Sequence, residues 1–350
     1  MKIKYVILFV LLKLLEKVYF TLGVLRRTII KPKKVDCPVV SVGNLVFGGS
    51  GKTALVLSLA NWLKELAGEG GVILKGYKGK RKKDPLIVSD GYTLHASLKE
   101  AGDEAFMLAS ELKGVKVAVG KNRYKAALEL LSAFQLKWIL IDDGFSQPYL
   151  KKDLDIVLLT GDEVLSSSKN VQVAFLKREP ISSLKRAHAL FMTYSIPKTR
   201  KVQAVKFFKS KGITLPIFEI QRRPFYLKDL ATNVEYPLDV IKDRKCLAFA
   251  GIARPERFFD TLKDISITLV HRAHFKDHQA YSKQVILSLI KKAQGEPILC
   301  TPKDAVKLRP YGELFAQRSV YALYEQLTII KEELFLCMLM NVLGRSSYET

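Results

Sequence analysis

A chain of 350 residues with 48% hydrophobic content can bury at least one full core and is long for a single α/β domain, so two domains are expected. Its 57 Lys and Arg against 34 Asp and Glu leave a formal charge of +23, which implies acidic partners: nucleic acid, anionic lipid headgroups or a phosphorylated substrate. The four cysteines, Cys37, Cys246, Cys300 and Cys337, are widely spaced with no C-x-x-C pair, so neither a disulfide framework nor a zinc site is indicated, and the usage suits a reducing cytoplasm.

At the N-terminus, Tyr5 to Leu12 is an uninterrupted apolar run that is too short to span a bilayer. Extending it to the roughly twenty residues of a spanning helix takes in Lys13, Glu16 and Lys17, each costing roughly 2.5–3.5 kcal/mol at the bilayer centre, so spanning is disfavoured. On a helical wheel Lys2, Lys13, Glu16, Lys17 and Arg27 share one stripe, with Lys4 off it, while Leu and Val cover the rest. That is the pattern of a helix lying in the membrane interface, with packing on the protein's own core as the alternative. The cluster Arg26, Arg27, Lys31, Lys33 and Lys34 is expected to add attraction to anionic headgroups. No small-x-small cleavage site follows the apolar run, which argues against a signal peptide.

Pro38 to Val42 then reads as a short buried strand, Gly43 to Gly51 as a Gly-rich turn, and Lys52 to Leu66 as a helix. Strands are expected at Val72–Leu74, Val115–Val119, Trp138–Ile141 and Leu154–Leu159, and helices at Ala105–Leu112 and Arg123–Leu131. Such alternation argues for a P-loop NTPase-like, mainly parallel sheet with helices on both faces. From Ile213 the texture changes, with Pro216, Pro224 and Pro237 breaking short β-like runs such as Ile217 to Ile220. A second α/β pattern follows: strands at Cys246–Ala250, Ile267–Val270 and Pro297–Cys300, a helix at Pro255–Lys263, and a last apolar helix at Leu334–Leu343 that can pack on either domain. The expected division is an N-terminal interfacial helix and basic segment (1–34), a P-loop domain (35–212), a linker (213–240) and a smaller α/β domain (241–350). No internal repeat or low-complexity tract is present.

The strongest chemical signal is Gly48-Gly49-Ser50-Gly51-Lys52-Thr53 between a strand and a helix. Successive backbone N–H groups there cradle phosphate oxygens, Lys52 reaches the β- and γ-phosphates, and the Thr53 hydroxyl is placed to ligate Mg²⁺. The full P-loop pattern has glycine where this chain has Val46. Next comes Trp138 to Gly144, an apolar strand that delivers Asp142 and Asp143 to the carboxyl edge of the sheet, where ligands of open α/β sheets bind and where a carboxylate commonly holds the nucleotide's Mg²⁺. Asp103 and Glu104 open a helix after Gly102, a position that also suits plain capping. His271, His274 and His278 are close enough in sequence for a metal set, but no cysteine lies nearby, and a catalytic or orienting role for His278 is the preferred reading. Basic motifs interleaved with aromatics are not evident, so nucleic acid is not expected as a partner.

Taken in order, several of these strings resemble one family, the tetraacyldisaccharide 4'-kinases, which phosphorylate the disaccharide precursor of lipid A. They are Ser41 to Leu45 running into Gly48 to Thr53, Ala101 to Glu104, Val119-Gly120 through Arg123, Asp142 to Phe145 with Asp153 to Asp155, and Arg178-Glu179-Pro180. In the second half they are Phe249 to Phe258, Phe275-x-Asp277-His278 and Thr301 to Asp304. That family also lacks the first P-loop glycine, matching Val46. The chain departs from the family's pattern at Leu74-Lys75, at Ser146-Gln147 and at Val173 to Phe175.

The resemblance implies ATP as cosubstrate with Mg²⁺, bound by the P-loop segment Val46, Phe47, Gly48, Gly49, Ser50, Gly51, Lys52 and Thr53. It implies Asp103 as catalytic base, paired with His278 from the second domain; Lys52 acting on the phosphates; Thr53, Asp142 and Glu104 serving the metal; and Asn44, Tyr77, Arg123, Asp143, Gln147 and Arg178 lining the acceptor pocket. The implied partners are a membrane-embedded glycolipid and an anionic membrane surface, at the cytoplasmic face of a bacterial inner membrane. A membrane-associated nucleotide switch or assembly ATPase, a weakened relative that only binds, and a relative acting on another glycolipid remain the other readings.

Overall fold

A computed structural model of the chain describes residues 11, 18, 20–46, 51–160, 179–193 and 198–344. Runs of β-branched and aliphatic residues make its centre. β1 (Val39–Gly43), β5 (Ile139–Asp142) and β6 (Leu154–Leu159) are buried at every position, as parallel strands covered on both faces must be. β1 lies between the other two, with Val39 opposite Ile139 and Val40 opposite Leu154. Beyond β5 come β2 (Gly71–Leu74) and β4 (Lys116–Val119), and β3 (Leu86–Ser89) closes that edge antiparallel to β4. On the other side β7 (Ala189–Thr193) runs parallel to β6. The helix Lys52–Ala67 turns Leu55, Leu59 and Leu63 into the core of this half, while Ala126 and Leu130 of the helix Arg123–Ala133 cover the opposite face.

The expected linker is instead the longest strand. β8 (Ile217–Asp229) continues the sheet parallel to β7 and pairs antiparallel with β13 (Val320–Ile330). Its prolines sit where the ladder tolerates a missing N–H: Pro216 precedes the strand, and Pro224 stands opposite Glu325 at a register shift. β13 then takes on β12 (Ile298–Cys300), β10 (Lys245–Ala250) and β11 (Thr268–His274), all parallel, while β9 (Glu235–Tyr236) pairs with β8. The expected strands of both halves thus belong to one sheet, of 13 strands among the described residues. The second half keeps its own cores, with Phe249, Ile286 and Leu289 on one face and Phe258, Phe259 and Leu262 on the other. The last helix, Glu332–Val342, packs back on the first half: the Phe335 ring lies 4.8 Å from Phe191 and 5.4 Å from Phe218.

Residues 20–29 are helical and expose Leu22, Val24, Leu25 and Ile29, whereas residues 1–10, 12–17 and 19, which carry most of the expected interfacial helix, lie outside the described residues. Among the described residues no helix is long and apolar enough to cross a membrane.

Candidate functional site

The carboxyl ends of β1 and β5 meet at one edge. Gly43 ends β1 where an added Cβ would lie 2.3 Å from that of Phe145, so only glycine admits the turn that follows β5. Gly51 caps the next helix at φ +80°, a left-handed conformation open to glycine at little cost, and delivers Lys52 to the first turn. Lys52 Nζ lies 3.5 Å from Asp143 Oδ1. Asp143 and His278 are themselves left-handed, at φ +55° and +61°, and such strain in non-glycine residues gathers at working sites. Phe47, Gly48, Gly49 and Ser50 of the expected phosphate loop lie outside the described residues, as does Arg178.

Asp142 is buried at the end of β5, and its Oδ1 has no hydrogen-bond partner among the described residues. Burial, and then the charge of Glu104, push its carboxyl up to about 7; Lys52 and Arg123 pull the other way, and Asp143 adds to the rise. A buried, unpartnered carboxylate oxygen driven toward protonation fits a divalent cation such as Mg²⁺, which takes one or two protein carboxylates and completes its shell from phosphate and water. Thr53 stands beside Lys52 in the first turn of the same helix.

Across from it, Gly102 turns the chain into the helix Asp103–Glu111 at φ +84°, so close to the Tyr77 carbonyl that a Cβ would meet it at 2.5 Å. Asp103 is buried, and His278 Nδ1 lies 2.8 and 2.9 Å from its two carboxylate oxygens. Burial raises the Asp103 carboxyl, but the His278 hydrogen bond and the charges of Lys303 and Lys307 outweigh it and hold the group below the usual carboxylate range. Lys303 was legible only inside the string Thr301 to Asp304. It proves to be a hub: its Nζ reaches Asp277 Oδ1 at 3.0 Å, Glu104 Oε1 at 3.1 Å, His278 Nε2 at 3.4 Å and Asp103 Oδ2 at 3.9 Å. Burial alone lowers the Lys303 ammonium, yet the acids around it, Glu104 first, leave it raised and charged. Lys303 stands in the first turn of the helix Pro302–Leu308, whose start the buried Asp304 fixes by accepting from Thr301 Oγ1, Tyr281 Oη and the Gly251 amide.

The remaining expected residues fall into two groups. Tyr77 is exposed with its ring 5.1 Å from that of His278, Asn44 and Val46 are buried just past β1, and the buried Arg123 donates to the carbonyls of Gly120 and Lys121 while its charge reaches Asp142. Gln147 departs from the expected pocket role. Its amide is spent on its own turn, accepting from Tyr149 N and Leu150 N and donating to Leu150 O. His271 and His274 lie on β11, with His274 Nδ1 3.6 Å from Glu256, and no group of three or more His, Cys, Asp or Glu converges as a metal cage among the described residues. Arg222, unremarked in the sequence, reaches from β8 to donate to the Gly51 carbonyl at 2.5 Å.

The model of the family described as tetraacyldisaccharide-1-P 4'-kinase matches residues 8–343. A tetraacyldisaccharide 4'-kinase of Halothermothrix orenii is 34% identical over 324 residues, covering 86% of this chain and 83% of that protein. One from Aquifex aeolicus is 36% identical over 287 residues, covering 82% of this chain and 84% of that protein. The crystal structure of LpxK from Aquifex aeolicus in complex with ATP shares the fold with a TM-score of 0.77 at 32% identity, covering 96% of this chain and 99% of that one.

Proposed function

This chain belongs to the tetraacyldisaccharide 4'-kinase family, and from that premise we propose how its own residues do the work. It is an ATP-dependent kinase that phosphorylates the 4'-hydroxyl of a tetraacyldisaccharide 1-phosphate, the glycolipid precursor of lipid A. The observation that carries the mechanism is the pairing of Asp103 with His278 at 2.8 Å, because it joins residues 175 apart in sequence beside the helix that begins at Lys52. Asp103 accepts the proton of the 4'-hydroxyl as its oxygen bonds to the γ-phosphorus and the bond from that phosphorus to the β,γ-bridging oxygen breaks. His278 holds the carboxylate in place through Nδ1, and Lys303 helps keep the Asp103 carboxylate charged and the pair aligned. Lys52 stabilises charge developing on the phosphoryl oxygens. Asp142, with Glu104 and Thr53, would hold Mg²⁺, which supplies further neutralisation of phosphate charge when bound.

The acceptor stays in its membrane while the catalytic residues lie in a water-soluble fold, so the protein works at the cytoplasmic face of a bacterial inner membrane, where ATP is available. Its formal charge of +23 and the exposed Leu22, Leu25 and Ile29 of the N-terminal helix support that placement. Transfer of radiolabelled γ-phosphate from ATP to tetraacyldisaccharide 1-phosphate in mixed micelles tests the reading. Labelled lipid forms with the wild type and not with Lys52→Ala; ATP turnover that ignores the added glycolipid would instead point to a nucleotide switch.

A further inference from the structure

The basic residues expected to face lipid headgroups are, in part, turned inward. Arg27 Nη1 lies 2.5 Å from Glu179 Oε1, and Glu179, buried at 2% exposure, also accepts from Ser183 Oγ at 2.9 Å and Arg186 Nη2 at 3.2 Å. Glutamate is almost never so buried unless paired, so this carboxylate is a built junction. Two parts of the site lead away from it. Its own amide donates to the Leu45 carbonyl just past β1, and Arg186 lies over the ring of Phe145, 4.5 Å from its centroid, in the turn that carries Asp142 and Asp143. A second strut is parallel to the first. Arg26 Nη2 donates to Tyr149 Oη at 2.8 Å, and Lys33 and Lys151 lace the chain after the helix onto the same turn through backbone bonds.

The helix itself is oriented by this attachment. At 3.6 residues per turn, Val18, Leu22, Leu25 and Ile29 lie about 140–200° around the helix from Arg27. All four are exposed. The side that meets the body carries Arg27 among the half-buried Phe20, Gly23 and Ile30, and the side left open carries these apolar residues.

We infer that Arg27 is a positioning residue for the lipid acceptor: through Glu179 it sets the height and tilt of the membrane-seated helix relative to the end of β1, so that a hydroxyl held at the bilayer surface arrives at Asp103. The inference rests on the membrane placement above. It assigns Arg27 no contact with substrate, and it separates two tasks of the helix, seating in lipid through the apolar stripe and registration through the arginine.

The test uses full-length protein, with tetraacyldisaccharide 1-phosphate carried in phosphatidylglycerol-containing vesicles and, separately, a deacylated disaccharide 1-phosphate as a soluble acceptor. Arg27→Gln should lower kcat/KM for the vesicle-borne acceptor by about tenfold or more, as expected for a misplaced reactant, with vesicle sedimentation, KM for ATP and turnover of the soluble acceptor unchanged. Arg27→Lys should restore most of the loss. Equal losses on both acceptors would make Arg27 a plain structural brace, loss of sedimentation would make it an anchor, and unchanged turnover would make it neither; each overturns the inference. A wild type that phosphorylates neither acceptor would instead sink the kinase reading itself.

Discussion

At the start of the helix Asp103–Glu111, the Asp103 carboxylate is given an imidazole at 2.8 Å and an ammonium at 3.9 Å, both from the second half of the sheet. At the end of β5, the Asp142 carboxylate keeps an oxygen unmatched among the described residues and feels a second acid, Glu104. Both groups are buried, yet one is held below the usual carboxylate range and the other is pushed up to about 7. Two like groups with protons driven apart mark two roles: an anion ready to accept a proton, and a seat whose charge is completed by a cation from outside. The first site is finished by folding and the second by its ligand.

The largest effect is expected at Asp103. Replacing it with Ala should cost about 10³–10⁴ in kcat, since it removes the proton acceptor, while ATP still binds and shifts the melting temperature as in the wild type. Because its folded pKa is depressed, Asp103 contributes stability above the ordinary carboxylate range and loses it as pH falls through the folded value. The melting difference between wild type and Asp103→Asn should accordingly be present at pH 7 and close on acidification.

Asp142→Asn should act the other way on stability. Catalysis falls by about 10²–10³ with the loss of charge at the phosphate end, but the nucleotide-free variant should melt higher than the wild type at pH 8. The sign follows from the raised value. The group favours folding below the ordinary carboxylate range and loses that contribution as pH rises through about 7, so the advantage of Asn opens between those values and is constant above. Mg²⁺ with ATP should erase it in the wild type. A variant that melts lower at pH 8 would show that the carboxylate is already satisfied without metal.

How much of this contrast can be read before folding depends on distance along the chain. The apolar strand ending in Asp142 and the helix that begins at Lys52 are local patterns, and both stand where their periodicity puts them. Asp103 and His278 are 175 residues apart, so no spacing rule joins them, and only the resemblance of whole strings did so. Lys303 was hidden for a related reason: it stands in the first turn of the helix Pro302–Leu308, and its ammonium acquires meaning only against Glu104 and Asp277 from two other elements. β8 was misread because Pro216 and Pro224 are breakers in isolation, whereas here one precedes the strand and the other occupies a bulge. Replacing Lys303 with Met tests the hub, with an expected loss of about 10–100-fold in kcat and little change in KM for ATP, in keeping with a group that orients others.

The smallest effect separates the two ends of one helix. At its start the helix Asp103–Glu111 is tied to the second half by Lys303; at its end Glu111 accepts from Lys228 Nζ at 2.9 Å and from Tyr324 Oη at 2.7 Å, and Ser110 accepts from Arg309 at 3.0 Å. Burial first, and then the Glu111 charge, hold the Tyr324 phenol protonated far beyond its ordinary range, so this end stays bonded throughout the working pH. Glu111→Gln removes the charge that pairs Lys228 and keeps a carbonyl oxygen for Tyr324, which should cost about 1–3 kcal/mol of stability. Because Asp103 retains His278 and Lys303, kcat should change by no more than about twofold where both proteins are folded. Catalytic loss as large as that of Lys303→Met would mean that the helix transmits strain along its length and that the pairing at Asp103 is set from the far end.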